Sequence, residues 1–525
     1  MWTTLCVVLL FLLLQLPSHP NALTVRHFLH LPLELPVIIL LLLLLPGRLI
    51  ALRLALVMLL ALLTFLRLAD TGMVLAFQRN FNPVLDLHLL KSGWELSVGT
   101  FGWPLALTVA TGVAVLFIGL FVLVFHAMGR LARLNGRPRR WTGLVAAGLL
   151  LVGVALALTG QSGVVETPLV AELPKRGERL HRAVVDESRF AADLATDDVS
   201  VAPDFAALKG RDVILLFVES YGRSWLDAQP YAQTSLPRLA VVGDRFAKAG
   251  LSVRSGWVQA PTRGGQSWLA HGAVMSGLWT SSQSRYDAVI ASKRLSLNRM
   301  FAQAGWHSVA VMPAITRDWP EAAWYGYDQV LAHDDLGYQG QPFEWVTMPD
   351  QYTLSAVERL ARQDGRDSVV EIALITSHAP WTPVPEVLPW DLIGDGSVFD
   401  GTQRAGATPR QVWSDHDTIR AAYSRSLDYS IEIVGQWVAR YAGDALVVVL
   451  GDHQPAPLVA GEGASAAVPI HFISADTKLL DLLPGRWSAG ILPETDLAER
   501  SMTELRSLFA NCFSTGGCLQ PGGES

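Results

Sequence analysis

Two unlike patterns of apolar and polar positions divide the chain near residue 160. Before it, runs of Leu, Val and Ala follow one another with few polar breaks. A membrane-crossing helix needs roughly 20 mostly apolar residues. Five stretches approach that, at about 2–17, 31–46, 49–68, 104–126 and 141–160. The first has no basic segment ahead of it and no small-x-small cleavage site behind it, so it reads as a retained helix rather than a signal peptide.

Lys and Arg placement sets direction, because short cytoplasmic loops carry them in excess. The loop after the fourth stretch holds Arg130, Arg133, Arg137, Arg139 and Arg140, and Arg48 and Arg53 lie between the second and third. The loop 69–103 has only Arg79 and Lys91. Five spans then leave everything beyond residue 160 outside the cytoplasm. Glu34 and Arg53 fall near span ends, where a long side chain reaches out to the interface.

Beyond residue 160 the pattern changes. Residues 161–210 are polar and charged, a linker with a helix expected around 176–196. From 211 onward apolar runs of strand length alternate with helical stretches. The strand-like runs are Val213–Val218, Val309–Val311, Val369–Ile375 and Ala445–Leu450; the helical ones include Ser296–Ala304 and Ile419–Tyr441. Such alternation predicts an α/β domain with a largely parallel sheet and helices on both faces. The expected organisation is a helical transmembrane domain of about five spans over 1–160, a juxtamembrane linker over 161–210, a catalytic α/β domain over 211–495 and a tail over 496–525.

Composition adds two limits. The 525 residues carry 41 Lys and Arg against 47 Asp and Glu, a net charge of −6, with no long basic run, so nucleic acid is not an expected partner. Of three cysteines, Cys6 lies in the first apolar run. Cys512 and Cys518 flank a short loop, and their spacing favours neither a local disulfide nor two thiols.

In open α/β sheets ligands bind beyond the carboxyl ends of the strands. The first strand run ends in Glu219-Ser220-Tyr221, the third leads to Thr376-Ser377-His378, and the fourth ends in Gly451-Asp452-His453-Gln454. Singly, each is an ordinary loop or cap residue. Jointly, they offer carboxylates and imidazoles to one site, a donor set for Mn²⁺, Mg²⁺ or Zn²⁺. His271 falls one helical turn after Ser267 and could line that site. His471, in an apolar run, reads as a satisfied core histidine.

The order strand–Glu-Ser, a Gly-x-Ser segment, an isolated strand-end His and strand–Gly-Asp-His resembles the alkaline phosphatase/sulfatase superfamily. With apolar spans ahead of it, the chain is most similar to the membrane-anchored branch of lipoteichoic acid synthases, phosphoglycerol transferases and phosphoethanolamine transferases. The resemblance implies one divalent metal held by Glu219, a hydroxyl nucleophile, Asp452 and His453. For the nucleophile, Gly265-Gln266-Ser267 followed by Ser276-Gly277-Leu278-Trp279 matches the family spacing, which makes Ser267 the first choice and Thr262 the alternative. Either hydroxyl also suits a helix N-cap. His378 is expected to bind the phosphate or to protonate a leaving oxygen.

The family's head-group segment falls on Met312–Glu321. There a Trp is kept as Trp319, while Met312, Ala314 and Glu321 stand where a His, an Asp and an Arg are expected; Arg317 could supply the missing charge. Gln259-Ala-Pro-Thr-Arg263 copies a sulfatase frame with Gln at the position that must be oxidised, so arylsulfatase activity is not expected. The implied reaction is transfer of phosphoglycerol or phosphoethanolamine from a membrane phospholipid to a glycan or lipid acceptor through a covalent Ser267 intermediate, on the outer face of a bacterial cytoplasmic membrane. A tethered phosphodiesterase or phosphatase using water, and a non-catalytic scaffold, are the alternatives.

Overall fold

The computed structural model describes residues 2–44, 50–77, 79–83, 85–158, 165–197, 199, 202–362, 365–404 and 406–518. The chain divides into two compact units, Met1–Leu75 with Arg79–Ser188, and Ala76–Gln78 with Arg189–Ser525.

The first unit is helical, and its apolar runs are cut by proline. Helix Trp2–Leu14 stops ahead of Pro17 and Pro20, and helix Glu34–Leu44 starts only after Pro32. At 13 and 11 residues both fall short of a span. Among the described residues three helices, Ile50–Phe77, Trp103–Ala132 and Gly136–Leu158, are long and apolar enough to cross a membrane. The expected count of five spans is therefore not carried by the structure. Arg48, and the ends of the stretches expected at 31–46 and 141–160, lie outside the described residues. Proline removes a backbone donor and fixes φ, which fits the end of the first helix ahead of Pro17 and the start of the second after Pro32.

Several polar side chains in this unit turn inward rather than outward. Arg53 is buried, with its guanidinium 4.7 Å from the Phe125 ring centroid. Arg67 donates to the carbonyl oxygens of Leu13 and Leu14, which close the first helix, and to Glu172. Glu34 accepts from the backbone N–H groups of Leu169 and Val170, at the start of helix Pro168–Ala195. A carboxylate there satisfies orphan donors and complements the helix dipole.

The second unit is built on a nine-stranded sheet. In chain order its strands are β1 (Val213–Val218), β2 (Ser252–Gln259), β3 (His307–Met312), β4 (Gln329–Ala332), β5 (Ser368–Leu374), β6 (Leu446–Gly451), β7 (Ala467–Ser474), β8 (Ser488–Ala489) and β9 (Glu499–Ser501). The spatial order is β8-β2-β7-β6-β1-β5-β3-β4, with β9 beside β2. Strands β6, β1, β5, β3 and β4 run parallel; β7 is antiparallel to both β6 and β2. The sheet is mixed, not largely parallel as expected. The missed strands explain this: β2 is diluted by Ser252, Arg254 and Ser255, and β7 is interrupted by Pro469 and His471.

Strand β1 is buried on both faces, which is why it reads as an unbroken apolar run. Ile214, Leu216 and Val218 face a core shared with helices Ala232–Lys248, Asp350–Leu360 and His416–Tyr441. Val213, Leu215 and Phe217 face the other core, shared with helices Ser267–Ser276, Leu297–Gln303 and Glu504–Cys512. Strand β9 and helix Glu504–Cys512 belong to this same sheet and core, and Cys512 and Cys518 form a disulfide.

Candidate metal centre

Strands β1 and β6 are neighbours in register, with Val218 opposite Gly451. Their next residues, Glu219 and Asp452, therefore emerge side by side at the carboxyl edge of the sheet. The two chain segments approach so closely that a Cβ on Gly451 would meet the carbonyl oxygen of Tyr221, so only glycine fits. Ser220, at φ 55°, turns the chain out of β1 in the left-handed region. Its N–H donates to Asp452 Oδ1 at 2.8 Å, and the His453 N–H donates to the same oxygen at 2.6 Å.

The remaining atoms converge. His453 Nε2 lies 3.4 Å from Glu219 Oε1 and 3.7 Å from Asp452 Oδ2. The ligand atoms of Glu219, Asp452 and His453 all lie within 4.8 Å of one another, and all three residues are buried. Ser267, the first residue of helix Ser267–Ser276, donates its Oγ–H to Glu219 Oε2 at 3.1 Å. Thr262 donates instead to the Gly265 carbonyl, 2.8 Å away within its own loop. Of the two candidate hydroxyls, Ser267 is the one in contact with the carboxylate cluster.

The electrostatics call for positive charge here. Burial opposes ionisation of Glu219, but the His453 and His378 charges and the Ser220 hydroxyl together hold its carboxyl well below the usual range. Burial, and then the Glu219 charge, push Asp452 up to about 6. Burial would neutralise His453, yet the Asp452 and Glu219 charges raise it to about 9. The two buried carboxylates thus oppose each other's charge and are met by the single His453 imidazole. The residues present fit a divalent cation. His453 Nδ1 is held at 3.0 Å from the Gln454 carbonyl oxygen, which fixes the ring, while buried Nε2 has no hydrogen-bond partner and faces both carboxylates. Such an outer hydrogen bond is the usual way a metal-binding imidazole is oriented.

A cavity of about 250 Å³ opens over this cluster, lined among others by Ser267, Trp268, His271, Trp319 and His378. His378 is exposed at its rim, with Nδ1 2.6 Å from the Ala379 carbonyl oxygen. Trp319 is half-buried in the wall, its ring centroid 5.4 Å from that of Tyr325. Arg317 is exposed, between the lining residues Ile315 and Trp319, and does not itself line the cavity.

Two residues escaped the sequence reading. Glu371, fully buried in β5, accepts from Asn298 Nδ2 and the Tyr327 hydroxyl, and its Oε1 lies 2.6 Å from His271 Nδ1. A carboxylate inside the otherwise apolar run Val369–Ile375 was the available signal. Asp350 Oδ1 accepts the N–H groups of Ile375 and Thr376 and so shapes the turn that carries His378. Nothing in its sequence context marked it.

No family model matches the chain, and no curated protein matches it. Solved structures give a likeness of arrangement. The lipoteichoic acid synthase LtaP from Listeria monocytogenes is similar at 14% identity, over 54% of this chain and 70% of that one, with a TM-score of 0.36. The C-terminal periplasmic domain of EcEptC from Escherichia coli, in complex with Zn, is 14% identical over 60% and 83%, with a TM-score of 0.39. The integral membrane lipooligosaccharide phosphoethanolamine transferase EptA from Neisseria meningitidis is 13% identical over 87% and 83%, with a TM-score of 0.45. At such identities and scores the likeness assigns neither reaction nor substrate, and the chemistry below rests on the side chains.

Proposed function

We propose that the chain is a membrane-bound, metal-dependent transferase that moves phosphoglycerol or phosphoethanolamine from a phospholipid to a glycan or lipid hydroxyl. The observation that carries this reading is the Ser267 hydroxyl 3.1 Å from Glu219, beside the buried Asp452–His453 pair. Glu219, Asp452, His453 and Ser267 would hold one divalent cation, which supplies Lewis acidity and lowers the pKa of a bound hydroxyl.

The chain's own groups perform the rest. Ser267 Oγ forms a bond to phosphorus while the bond from phosphorus to the lipid's glycerol oxygen breaks. The Ser267 proton passes toward Asp452, the more basic of the two carboxylates, which also interacts with the Ser267 hydroxyl. His378, at the cavity rim, gives a proton to the departing oxygen and later removes one from the acceptor hydroxyl. That hydroxyl attacks phosphorus and frees Ser267. Ser267 opens helix Ser267–Ser276, and a helix N-terminus favours the anionic phosphate beside it. Trp319 packs against the head group. Tethering to the membrane raises the effective concentration of a lipid donor, and the basic loop at 130–140 supports an orientation with the site on the outer side.

The test uses the purified full-length chain with head-group-labelled phosphatidylglycerol or phosphatidylethanolamine. With a glycan acceptor present, label is expected on the acceptor. Release of the same label as a free phosphate ester, unaffected by acceptor, would instead establish a hydrolase. Intact lipid in every arm would overturn the reading.

A further inference from the structure

In the first unit, leucines recur at 59, 62, 63 and 66 of helix Ile50–Phe77, the spacing of a single helical stripe. Leu173 and Leu180 of helix Pro168–Ala195 complete a groove of about 530 Å³ with them. An apolar groove on a membrane helix is unremarkable alone; what closes its end is not. There the lining becomes Asn80, Asn82, Arg176 and Arg179. Arg176 is neutralised by Asp70 at 2.7 Å and Glu172 at 2.6 Å. Among the described residues Arg179 forms no ion pair within 4 Å, although its charge acts on Asp70, and Lys175, one turn earlier, forms none either and lines the adjoining cavity with it. One cation without a close ion-pair partner, Arg179, therefore stands at the polar end of a leucine-lined slot, with Lys175 beside it in the adjoining cavity.

We propose that this groove holds one phospholipid with a net-negative head group, its phosphate against Arg179 and Lys175 and an acyl chain along the leucine stripe. The dimensions agree. Leu59 to Leu66 spans about 10 Å of helix rise, within the roughly 15 Å that one leaflet's hydrocarbon occupies. The cationic end lies toward Phe77, on the side where the helix leaves the apolar run. A zwitterionic head group would set its own ammonium beside the two cations; an anionic one would not. A free cation near the surface favours an anionic lipid by about fivefold, and because Asp70 offsets part of the Arg179 charge the two together favour it by about tenfold. Assignment to the outer leaflet rests on the orientation proposed above, whereas binding requires neither Ser267 nor the metal centre.

The experiment photolabels the full-length chain in detergent micelles. The probe is phosphatidylglycerol with a photoreactive acyl chain, compared with phosphatidylcholine carrying the same chain. Labelled peptides are expected to map to Leu59–Leu66 and Leu173–Leu180, with phosphatidylcholine labelling them about tenfold less. The double variant Lys175→Glu/Arg179→Glu is expected to lose about tenfold in phosphatidylglycerol labelling. Leu62→Trp, at a position 54% exposed and so tolerant of bulk, should fill the groove and exclude both lipids. Equal labelling by the two lipids, or labelling unchanged by the charge reversal, overturns the proposal. Ser267→Ala separates it from the transferase reading. Label retained with transfer lost in that variant leaves the lipid site standing. Groove labelling absent from an enzyme that still transfers head groups refutes the lipid site alone.

Discussion

Replacing Asp350 with alanine tests how the His378 turn is held. The carboxylate is fully buried, and burial pushes its pKa up against the pull of its donors. Oδ1 accepts from the N–H groups of Ile375 at 2.8 Å and Thr376 at 2.9 Å, and Oδ2 accepts from the Ser430 hydroxyl at 2.6 Å. Asp350→Ala strands two backbone donors and one hydroxyl. An unsatisfied buried group costs about 1–3 kcal/mol, and water entering the vacated space offsets part of it, so a loss of about 3 kcal/mol is expected. Asp350→Asn keeps an acceptor for both N–H groups and turns its amide toward Ser430, whose oxygen can accept. Its cost should be about 1 kcal/mol.

For a domain of this size, 1 kcal/mol lowers Tm by about 2 °C. Scanning fluorimetry of the purified chain should show a drop of about 6 °C for alanine and about 2 °C for asparagine. Because Thr376 precedes Ser377 and His378, the alanine variant should also lose at least about tenfold in kcat through misplacement of His378. Metal content should stay unchanged, since Glu219, Asp452 and His453 follow other strands. Wild-type Tm and kcat in Asp350→Ala, or an asparagine variant as damaged as the alanine one, would refute the reasoning.

Glu219→Gln and Asp452→Asn are expected to lose bound metal, measured by elemental mass spectrometry of the full chain, whereas His378→Ala keeps it and loses transfer; full metal content in Glu219→Gln would remove that residue from the ligand set. Trp319→Ala should raise KM about tenfold while Arg317→Ala leaves it within about twofold, read from head-group transfer kinetics. His471 supplies a pH dependence. Burial pushes its imidazole down to about 3, and the neutral ring sits between the Ser255 and Tyr221 hydroxyls. The unfolded chain takes up a proton below about pH 6.5 that the fold refuses, so this stability is complete above that value and is lost as pH falls. The loss amounts to about 2 kcal/mol by pH 5, and His471→Asn should flatten Tm against pH between 7 and 5.

What could be read from the sequence tracks how each residue is buried. Val213–Val218 and Leu446–Gly451 are sandwiched between helices, so their continuous apolar runs announce both the strands and the strand-end positions of Glu219 and Asp452. Strand β7 is equally buried, yet His471 breaks its run, because two hydroxyls from β2 and the β1 turn satisfy the ring. Without β7 and β2 the sheet reads as parallel. The membrane stretches are legible in composition, but Pro17 and Pro32 mark an end and a start that hydropathy does not weigh. Spacing left Ser267 and Thr262 open as nucleophiles; only three-dimensional proximity to Glu219 tells them apart. Glu371 and Asp350 act through partners 44 to 100 and 25 to 80 residues away, beyond any local pattern.

The most direct measurement is peptide-level mass spectrometry of the full-length chain after incubation with phosphatidylglycerol or phosphatidylethanolamine and divalent metal. The expected result is a phosphoglycerol or phosphoethanolamine adduct on Ser267, absent from Ser267→Ala and from chain stripped of metal. An adduct on Thr262, or head-group transfer that survives Ser267→Ala undiminished, would contradict it.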